Sequence, residues 1–176
     1  LNLGAMYAKG IGVPQPDRAK AIELYKKAAK QNNPKAQYNL ATLYDNGKEG
    51  YNNMKKAVKY FKKAADQNIP QALYNLGVIY SEGTEGIPED KEKAFQNFMK
   101  AAELDQKNRK ALLKIADMYQ NGVGVEKDEE KAKEHYEKAN ALPAPASTAI
   151  PKDDKRDESS IREEEEFADD ESKDNE

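Results

Sequence analysis

Three asparagines at matching positions have the chemistry best suited to binding in this chain. Asn2, Asn39 and Asn75 each lie five residues before a tyrosine. A side-chain amide can donate to a backbone carbonyl and accept from a backbone N–H. A row of such amides is therefore suited to holding an extended peptide, and nearby lysines could hold a carboxylate or a phosphate. The alternative interpretation is that the asparagines bond to neighbouring helices and tie the structure together.

The asparagines belong to a predicted binding stripe that lies on one face of several helices and points away from the core. The stripe takes residues nine, five and two places before each tyrosine, a spacing that keeps side chains on the same side of an α-helix. Its members are Asn2, Lys35, Asn39, Thr42, Gln71, Asn75, Val78, Lys110 and Lys114, with Asp117 in the last unit. Tyr38 and Tyr74 lie six places before their tyrosines, and we expect them near the edge of the stripe.

Residues 1–141 contain few side chains that could form a catalytic site. This part of the chain has one histidine, His135, and one serine, Ser81, whereas a Ser-His-Asp or Cys-His site needs several such groups to converge. A zinc site needs more than one histidine or cysteine, or a carboxylate cluster in their place. Adjacent carboxylates such as Glu129 and Glu130 are common on solvated helices. We expect no enzyme activity, no metal and no cofactor. The alternative is a hydrolase, which would be favoured if the chain showed a catalytic activity that His135→Ala abolished.

The predicted binding stripe is positioned by a helix–loop–helix unit that recurs along the chain. Its clearest mark is a tyrosine that returns after 37, 36 and 39 residues, at Tyr7, Tyr44, Tyr80 and Tyr119. We call these the repeat tyrosines, and we expect them to pack in the core. A period of this length is typical of stacked helical repeats that cannot bury their apolar faces alone. We divide the array into units 1–31, 33–67, 69–104 and 108–141.

Glycines and polar caps mark the two ends of the loop in each unit. A glycine three residues after the repeat tyrosine is expected to end the first helix with a left-handed backbone conformation. These glycines are Gly10, Gly47, Gly83 and Gly122, and a second glycine follows at Gly12, Gly50, Gly86 and Gly124. The second helices begin after polar N-caps, which are Asp17, Asn53, Asp90 and Asp128. Gly4 and Gly77 lower helix propensity, which favours a second helix packed closely against them.

The last unit and the segment after it differ from the rest of the chain in polarity. Lys133, His135 and Asn140 replace apolar residues at positions that we expect to face a following repeat, as in a capping unit. Segment 142–176 has 13 acidic and 5 basic residues, so its net charge is −8. Because the whole chain has a net charge of −3, residues 1–141 have a net charge of +5. We predict that this acidic tail is disordered. The opposite charges suggest that the tail contacts the array as an autoinhibitor.

The recurring pattern resembles the Sel1-like repeat, a relative of the tetratricopeptide repeat. The first unit matches it at Leu3, Gly4, Tyr7, Gly10, Gly12, Val13, Asp17, Lys20, Ala21 and Tyr25. The fourth unit matches it at Ala111, Tyr119, Gly122, Gly124, Val125, Asp128, Lys131, Ala132 and Tyr136. The glycine-containing loop favours this family over a plain tetratricopeptide array, whose period is about 34 residues. The resemblance implies an all-α fold, a right-handed α/α superhelix in which the first helices line a concave face.

The resemblance also implies a function. Sel1-like proteins act as adaptors or scaffolds in signalling, protein quality control or host–microbe contact, so we expect a non-catalytic scaffold that binds a peptide or protein in the concave groove. One alternative is a co-chaperone-like module that holds a C-terminal carboxylate, for which Lys35, Asn39 and Lys114 are candidates. The other is a hydrolase like the cysteine-rich bacterial members linked to β-lactamase activity, which the absence of cysteine disfavours.

Composition narrows the remaining classes of protein. The chain has no cysteine and no apolar run of about 18 residues, so we predict neither a disulfide framework nor a membrane span. The modest positive charge of residues 1–141, with aromatic side chains on the buried face, disfavours nucleic-acid binding. We expect a cytoplasmic location. Because Leu1 lies inside a repeat, we also expect the chain to be part of a longer one.

Overall fold

A computed structural model describes residues 2–45, 53–84 and 86–143 of the chain. Within these ranges the chain forms eight α-helices and one isolated antiparallel bridge, between Thr84 and Ile87. The helices are α1 (Asn2–Lys9), α2 (Arg18–Lys30), α3 (Pro34–Asp45), α4 (Met54–Ala65), α5 (Pro70–Glu82), α6 (Lys91–Leu104), α7 (Arg109–Asn121) and α8 (Glu129–Ala141). The predicted all-α repeat fold is confirmed. Gly47, Gly50 and the acidic tail beyond residue 143 lie outside the described residues.

Odd-numbered helices are the first helices of the units, and even-numbered helices are the second. Each helix packs against the next one in the chain. A recurring alanine faces inward on every second helix, at Ala21, Ala57, Ala94 and Ala132, and is at most 3% exposed. The aromatic residue one turn later is buried in the first three units, at Tyr25, Phe61 and Phe98. Each pair thus combines a small residue, which lets helices approach, with a ring that fills the space between them.

Glycines on the first helices lie where these rings pack. A Cβ atom built on Gly77 would stand 2.6 Å from a ring carbon of Phe98, and one on Gly4 would stand 2.9 Å from Tyr25. The prediction of close helix packing at Gly4 and Gly77 is therefore confirmed. The benefit of this close contact offsets the roughly 1 kcal/mol that glycine costs in a helix interior.

The residues that flank the loop between the two helices are joined in the same way in all four units. The backbone N–H of each N-cap donates to the carbonyl of the repeat tyrosine, at 2.8–3.1 Å. The N-cap side chain then accepts from the third backbone N–H of the second helix, at 2.8–2.9 Å. Gly10, Gly83 and Gly122 have φ between 65° and 71°, which glycine adopts without steric cost. The loop therefore fixes the angle at which the second helix returns along the first.

Candidate functional site

The predicted binding stripe lies on the side of the first helices that faces away from the core. The buried side of these helices carries pairs such as Ala36 with Leu40 and Ala111 with Ile115, all 0% exposed. The stripe residues that are exposed are Asn2, Lys35, Gln71, Lys110, Lys114 and Asp117. Those that are half-buried are Asn39, Thr42, Asn75 and Val78. No member of the stripe is buried, so each of these side chains is at least partly accessible to solvent.

Asn39 makes a contact between units that bears on the role of the asparagines. Burial raises the pKa of the Tyr25 phenol, and a side-chain hydrogen bond with Asn39 opposes that rise. Tyr25 belongs to α2 and Asn39 to α3, so the two side chains approach each other at the boundary between the first and second units. Phe61 occupies the place of Tyr25 in the next unit and has no hydroxyl, so Asn75 has no equivalent neighbour. The two asparagines therefore have different surroundings.

Other residues of the stripe and its edge also contact the array. The Thr42 hydroxyl donates to the Tyr38 carbonyl at 3.1 Å, and Val78 packs against the cluster formed by Ala94, Phe98, Ile115 and Met118. The Tyr38 ring lies 5.9 Å from Phe61, and the equivalent Tyr74 ring lies 5.5 Å from Phe98. These two tyrosines are half-buried and partly structural.

The structure separates the residues of the proposed carboxylate clamp. Lys35 and Asn39 lie on α3, Lys114 lies on α7, and α5 stands between these helices in the chain of packed helices. Helix α5 contains no lysine, but it carries Asn75, and Lys114 lies on the next first helix. The three residues named for the clamp are therefore kept apart, and a lysine–asparagine pair on neighbouring first helices would use Asn75 instead of Asn39.

A lysine lies over the repeat tyrosine in three of the units. The Nζ atoms of Lys56, Lys93 and Lys131 stand 5.6, 5.9 and 5.4 Å from the ring centroids of Tyr44, Tyr80 and Tyr119. Each lysine precedes the recurring alanine of its second helix, so the pairing follows from the repeat geometry. Such cation–π contacts contribute roughly 0.5–1 kcal/mol each at exposed sites. Tyr44 is buried and Tyr80 and Tyr119 are half-buried, so all three pack into the array.

Two N-cap aspartates pair with these lysines. The Asp90 carboxylate lies 2.5 Å from Lys93 Nζ, and the Asp128 carboxylate lies 3.0 Å from Lys131 Nζ. Hydrogen bonds from the Lys93 side chain and backbone N–H lower the pKa of Asp90. The Lys131 backbone N–H and side chain do the same for Asp128. Asn53 is the N-cap in the second unit, so the capping there carries no charge.

A polar network that joins Gln37 and Gln67 of the second unit to Asn32, which precedes that unit, was not predicted from the sequence. Gln37 is 1% exposed, and its amide nitrogen donates to Asn32 Oδ1 at 3.0 Å. Gln67 in turn donates to Gln37 Oε1 at 2.7 Å, thirty residues along the chain. Leu73 and Leu112 occupy the position of Gln37 in the next two units. A polar residue at a position that is otherwise leucine was the available signal, and it could have been found by aligning the units.

Open grooves lie between successive second helices. The α4/α6 groove, defined by Lys62, Leu73, Tyr80, Lys93 and Lys100, has a volume of about 430 Å³. The α6/α8 groove lies at the equivalent place one unit later, has a volume of about 530 Å³, and is defined by Met99, Ala102, Leu112, His135 and Lys138. Neither groove was predicted from the sequence, because the spacing within one helix does not show how successive second helices lie relative to each other.

The position of His135 corrects one expectation. We expected His135 to face a following repeat, but it lines the α6/α8 groove and therefore faces the preceding second helix. Its ring lies 5.7 Å from Tyr119, and Nδ1 lies 2.9 Å from the Lys131 carbonyl oxygen. The cause is the orientation of the second helices, whose residue three places after the recurring alanine points back along the array.

No catalytic cluster forms around His135 or Ser81 in the described ranges. The Ser81 hydroxyl donates to the Val78 carbonyl at 2.8 Å, and the described residues contain no group of three or more His, Cys, Asp or Glu that could hold a metal ion. In the same residues, no helix has the length and apolar character needed to cross a bilayer.

Comparisons with known proteins agree with this geometry. The family model described as "Sel1 repeat" matches residues 1–33, 34–69, 70–106 and 109–142. A Sel1 repeat protein from Oxalobacter formigenes is 36% identical, with a TM-score of 0.71 over 79% of this chain and 55% of that one. A protective antigen of uropathogenic Escherichia coli with an SLR fold is also 36% identical, with a TM-score of 0.74 over 80% of this chain and 29% of that one.

A third similar structure is cysteine rich protein B of Helicobacter pylori. It is 28% identical, with a TM-score of 0.56 over 76% of this chain and 93% of that one. This chain spans about half the length of the first relative and under a third of the second. No curated protein matches the sequence. Four family matches and the helical repeat fold lead to one conclusion: the chain belongs to the Sel1 repeat family.

Proposed function

We propose that this array is a non-catalytic scaffold that binds a peptide or protein partner along the predicted binding stripe of its first helices. Sel1 repeat proteins generally mediate protein–protein interaction and are typically non-catalytic. The proposal assigns that general function to one surface of this chain. The supporting observation is that every stripe residue is exposed or half-buried, whereas the opposite side of the same helices forms the core.

The chemistry of the stripe favours an extended peptide as the partner. Asn75 has no tyrosine hydroxyl beside it, unlike Asn39. Its side-chain amide can therefore both donate to and accept from the backbone of a bound peptide. Gln71 on the same helix is exposed and adds a second amide. Lys110 and Lys114 are exposed on the next first helix, where they would attract an acidic side chain or terminus.

A displayed peptide library is the direct test of this proposal. The full chain would select binding peptides. Their affinities would then be measured for the parent, for Asn75→Ala with Lys114→Ala, and for a variant of the second helices that likewise removes one amide and one positive charge, Asn140→Ala with Lys59→Ala. We expect the stripe variant to weaken binding at least about tenfold, which corresponds to 1.4 kcal/mol, and the control to stay within about twofold. Equal affinities for all three proteins would contradict the proposal.

A further inference from the structure

We propose that the α4/α6 groove is a second docking surface, which binds a carboxylate-rich linear peptide of a partner protein. This surface is distinct from the predicted binding stripe and goes beyond the proposed function. It rests on three features of the groove: its place on α5, its lysines, and its apolar floor.

The groove and the stripe use opposite sides of the same helix. Leu73, Leu76 and Tyr80 of α5 line the groove. Gln71, Asn75 and Val78 of α5 belong to the stripe. With 3.6 residues per turn, the mean directions of these two sets lie about 170° apart around the helix axis. A ligand in the groove would therefore leave the stripe accessible, and the two surfaces can be tested separately.

Positive charge is concentrated along the groove. Helix α4 carries five lysines and no acidic residue, and Lys62 from this helix faces Lys93 and Lys100 of α6 across the groove. Lys93 is paired with Asp90, and one carboxylate, Asp66, lies among the lining residues. Within the described ranges, Lys62 and Lys100 have no ion-pair partner. These two ammonium groups are the ones a carboxylate-rich ligand would neutralise.

The floor of the groove offers an apolar contact between the lysines. Leu73 is 4% exposed and Leu76 is 3% exposed, so the floor is held rigidly by the core. Tyr80 is half-buried, and the Nζ atoms of Lys62 and Lys93 each lie 5.9 Å from its ring centroid. The volume of about 430 Å³ is sufficient for one or two side chains. The matching ligand is a short acidic segment that contains one apolar residue.

The positive charge of the α4/α6 groove does not recur in the equivalent groove of the next unit. In the α6/α8 groove, Met99 replaces Lys62, and Lys138, which replaces Lys100, is paired with Glu134 at 2.6 Å. The two grooves share their position and leucine floor but differ in charge. One unit earlier, the position of the floor leucine is taken by Gln37, which hydrogen-bonds to Gln67. Among the two grooves, the α4/α6 groove is thus the one suited to an acidic peptide.

Fluorescence anisotropy with the full chain tests this proposal. The probe is a fluorescein-labelled peptide, Glu-Glu-Asp-Leu-Glu-Glu, and its control replaces every acid with the corresponding amide. The groove variant is Lys62→Gln with Lys100→Gln. The matched control is Lys26→Gln with Lys30→Gln, which removes the same charge from exposed lysines of α2. Circular dichroism would establish that both variants keep their helices.

We expect the groove variant to bind the acidic probe at least about tenfold more weakly than the parent, with the control variant within about twofold. We also expect the amide peptide to bind at least about tenfold more weakly, and binding of the acidic probe to weaken as salt is raised. Absence of binding, or equal losses in both variants, would overturn the proposal. It would also be overturned if polyuridylic acid bound more tightly than the peptide through the same two lysines, because the occupant would then be a nucleic acid.

Discussion

Gly124 in the loop between α7 and α8 packs directly against the backbone of Lys91 at the start of α6. A Cβ atom at Gly124 would overlap the Lys91 carbonyl group. The equivalent Gly86 lies against the Lys55 side chain at the start of α4. The second glycine of the loop therefore allows one unit to rest on the preceding second helix. Gly122 also has a positive φ, but a Cβ there would come no closer than 3.3 Å to Lys127.

Replacing these two glycines with alanine separates the cost of close contact from the cost of backbone conformation. Both variants place alanine at φ near 65°, which costs roughly 1–2 kcal/mol. Gly124→Ala must in addition move a backbone, so we expect it to lower the free energy of unfolding by about 3 kcal/mol or more. Urea denaturation measures both values. Equal losses for Gly122→Ala and Gly124→Ala would contradict the proposed contact between units.

The Gln37 side chain can be exchanged for the leucine that the following units carry. We expect Gln37→Leu to change the free energy of unfolding by less than about 1.5 kcal/mol, because it fills the same space and leaves Gln67 bonded to the Lys63 carbonyl. Gln37→Ala should cost about 2–4 kcal/mol, since it leaves a cavity and removes the hydrogen bonds. Thermal unfolding of the two variants measures this difference. A loss in Gln37→Leu as large as that in Gln37→Ala would mean that the hydrogen bonds dominate.

The charged N-caps predict a pH dependence of stability. Asp90 has its pKa lowered in the folded chain by the Lys93 side chain and backbone, so it binds protons more weakly there than in the unfolded chain. Its contribution is present above its unfolded pKa and is lost as the pH falls through the lower folded value. The variant Asp90→Asn copies the natural cap Asn53. We expect its melting temperature to fall less than that of the parent when the pH is lowered from neutral to about 3.

A capping variant controls for this pH experiment. Asp90→Ala removes the side-chain hydrogen bond to the Lys93 backbone N–H and should be less stable than Asp90→Asn at every pH. If Asp90→Asn and the parent lose the same melting temperature on acidification, the Asp90 carboxylate does not contribute through its charge.

The influence of Asn39 on the pKa of Tyr25 predicts that the two residues are energetically coupled. A double-mutant cycle with Asn39→Ala and Tyr25→Phe should give an interaction energy of about 0.5–1.5 kcal/mol. The matched cycle with Asn75→Ala and Phe61→Leu should show a smaller coupling, because Phe61 has no hydroxyl. Chemical denaturation of the parent and the six variants measures both interaction energies. Coupling near zero for Asn39 and Tyr25 would contradict a tie between the first two units.

The repeat geometry was predictable because it depends on local features that recur. The N-caps and the close contacts at Gly4 and Gly77 follow from residue type and helical spacing, and the structure bears them out. The all-α solenoid follows from the same spacing. Local rules sufficed here because each unit contacts mainly its neighbours in sequence.

The side-chain contacts between units were not predictable in the same way. The backward orientation of His135 depends on how the second helices are placed relative to one another, which no spacing within a helix reveals. The difference between Asn39 and Asn75 depends on Tyr25 and Phe61 in the preceding second helices. The asparagines occupy equivalent positions in their own helices, so their spacing does not show this difference. It becomes visible only when the facing residues of the preceding units are compared.

The central claim is that the stripe of the first helices binds the partner, and Asn75 tests it most directly. The measurement is the affinity of a library-selected peptide for the full chain and for Asn75→Ala, with the melting temperature of each protein recorded. The account predicts an affinity at least about tenfold lower at an unchanged melting temperature. An unchanged affinity would contradict the claim and place the binding surface elsewhere, and a lowered melting temperature would assign Asn75 a structural role.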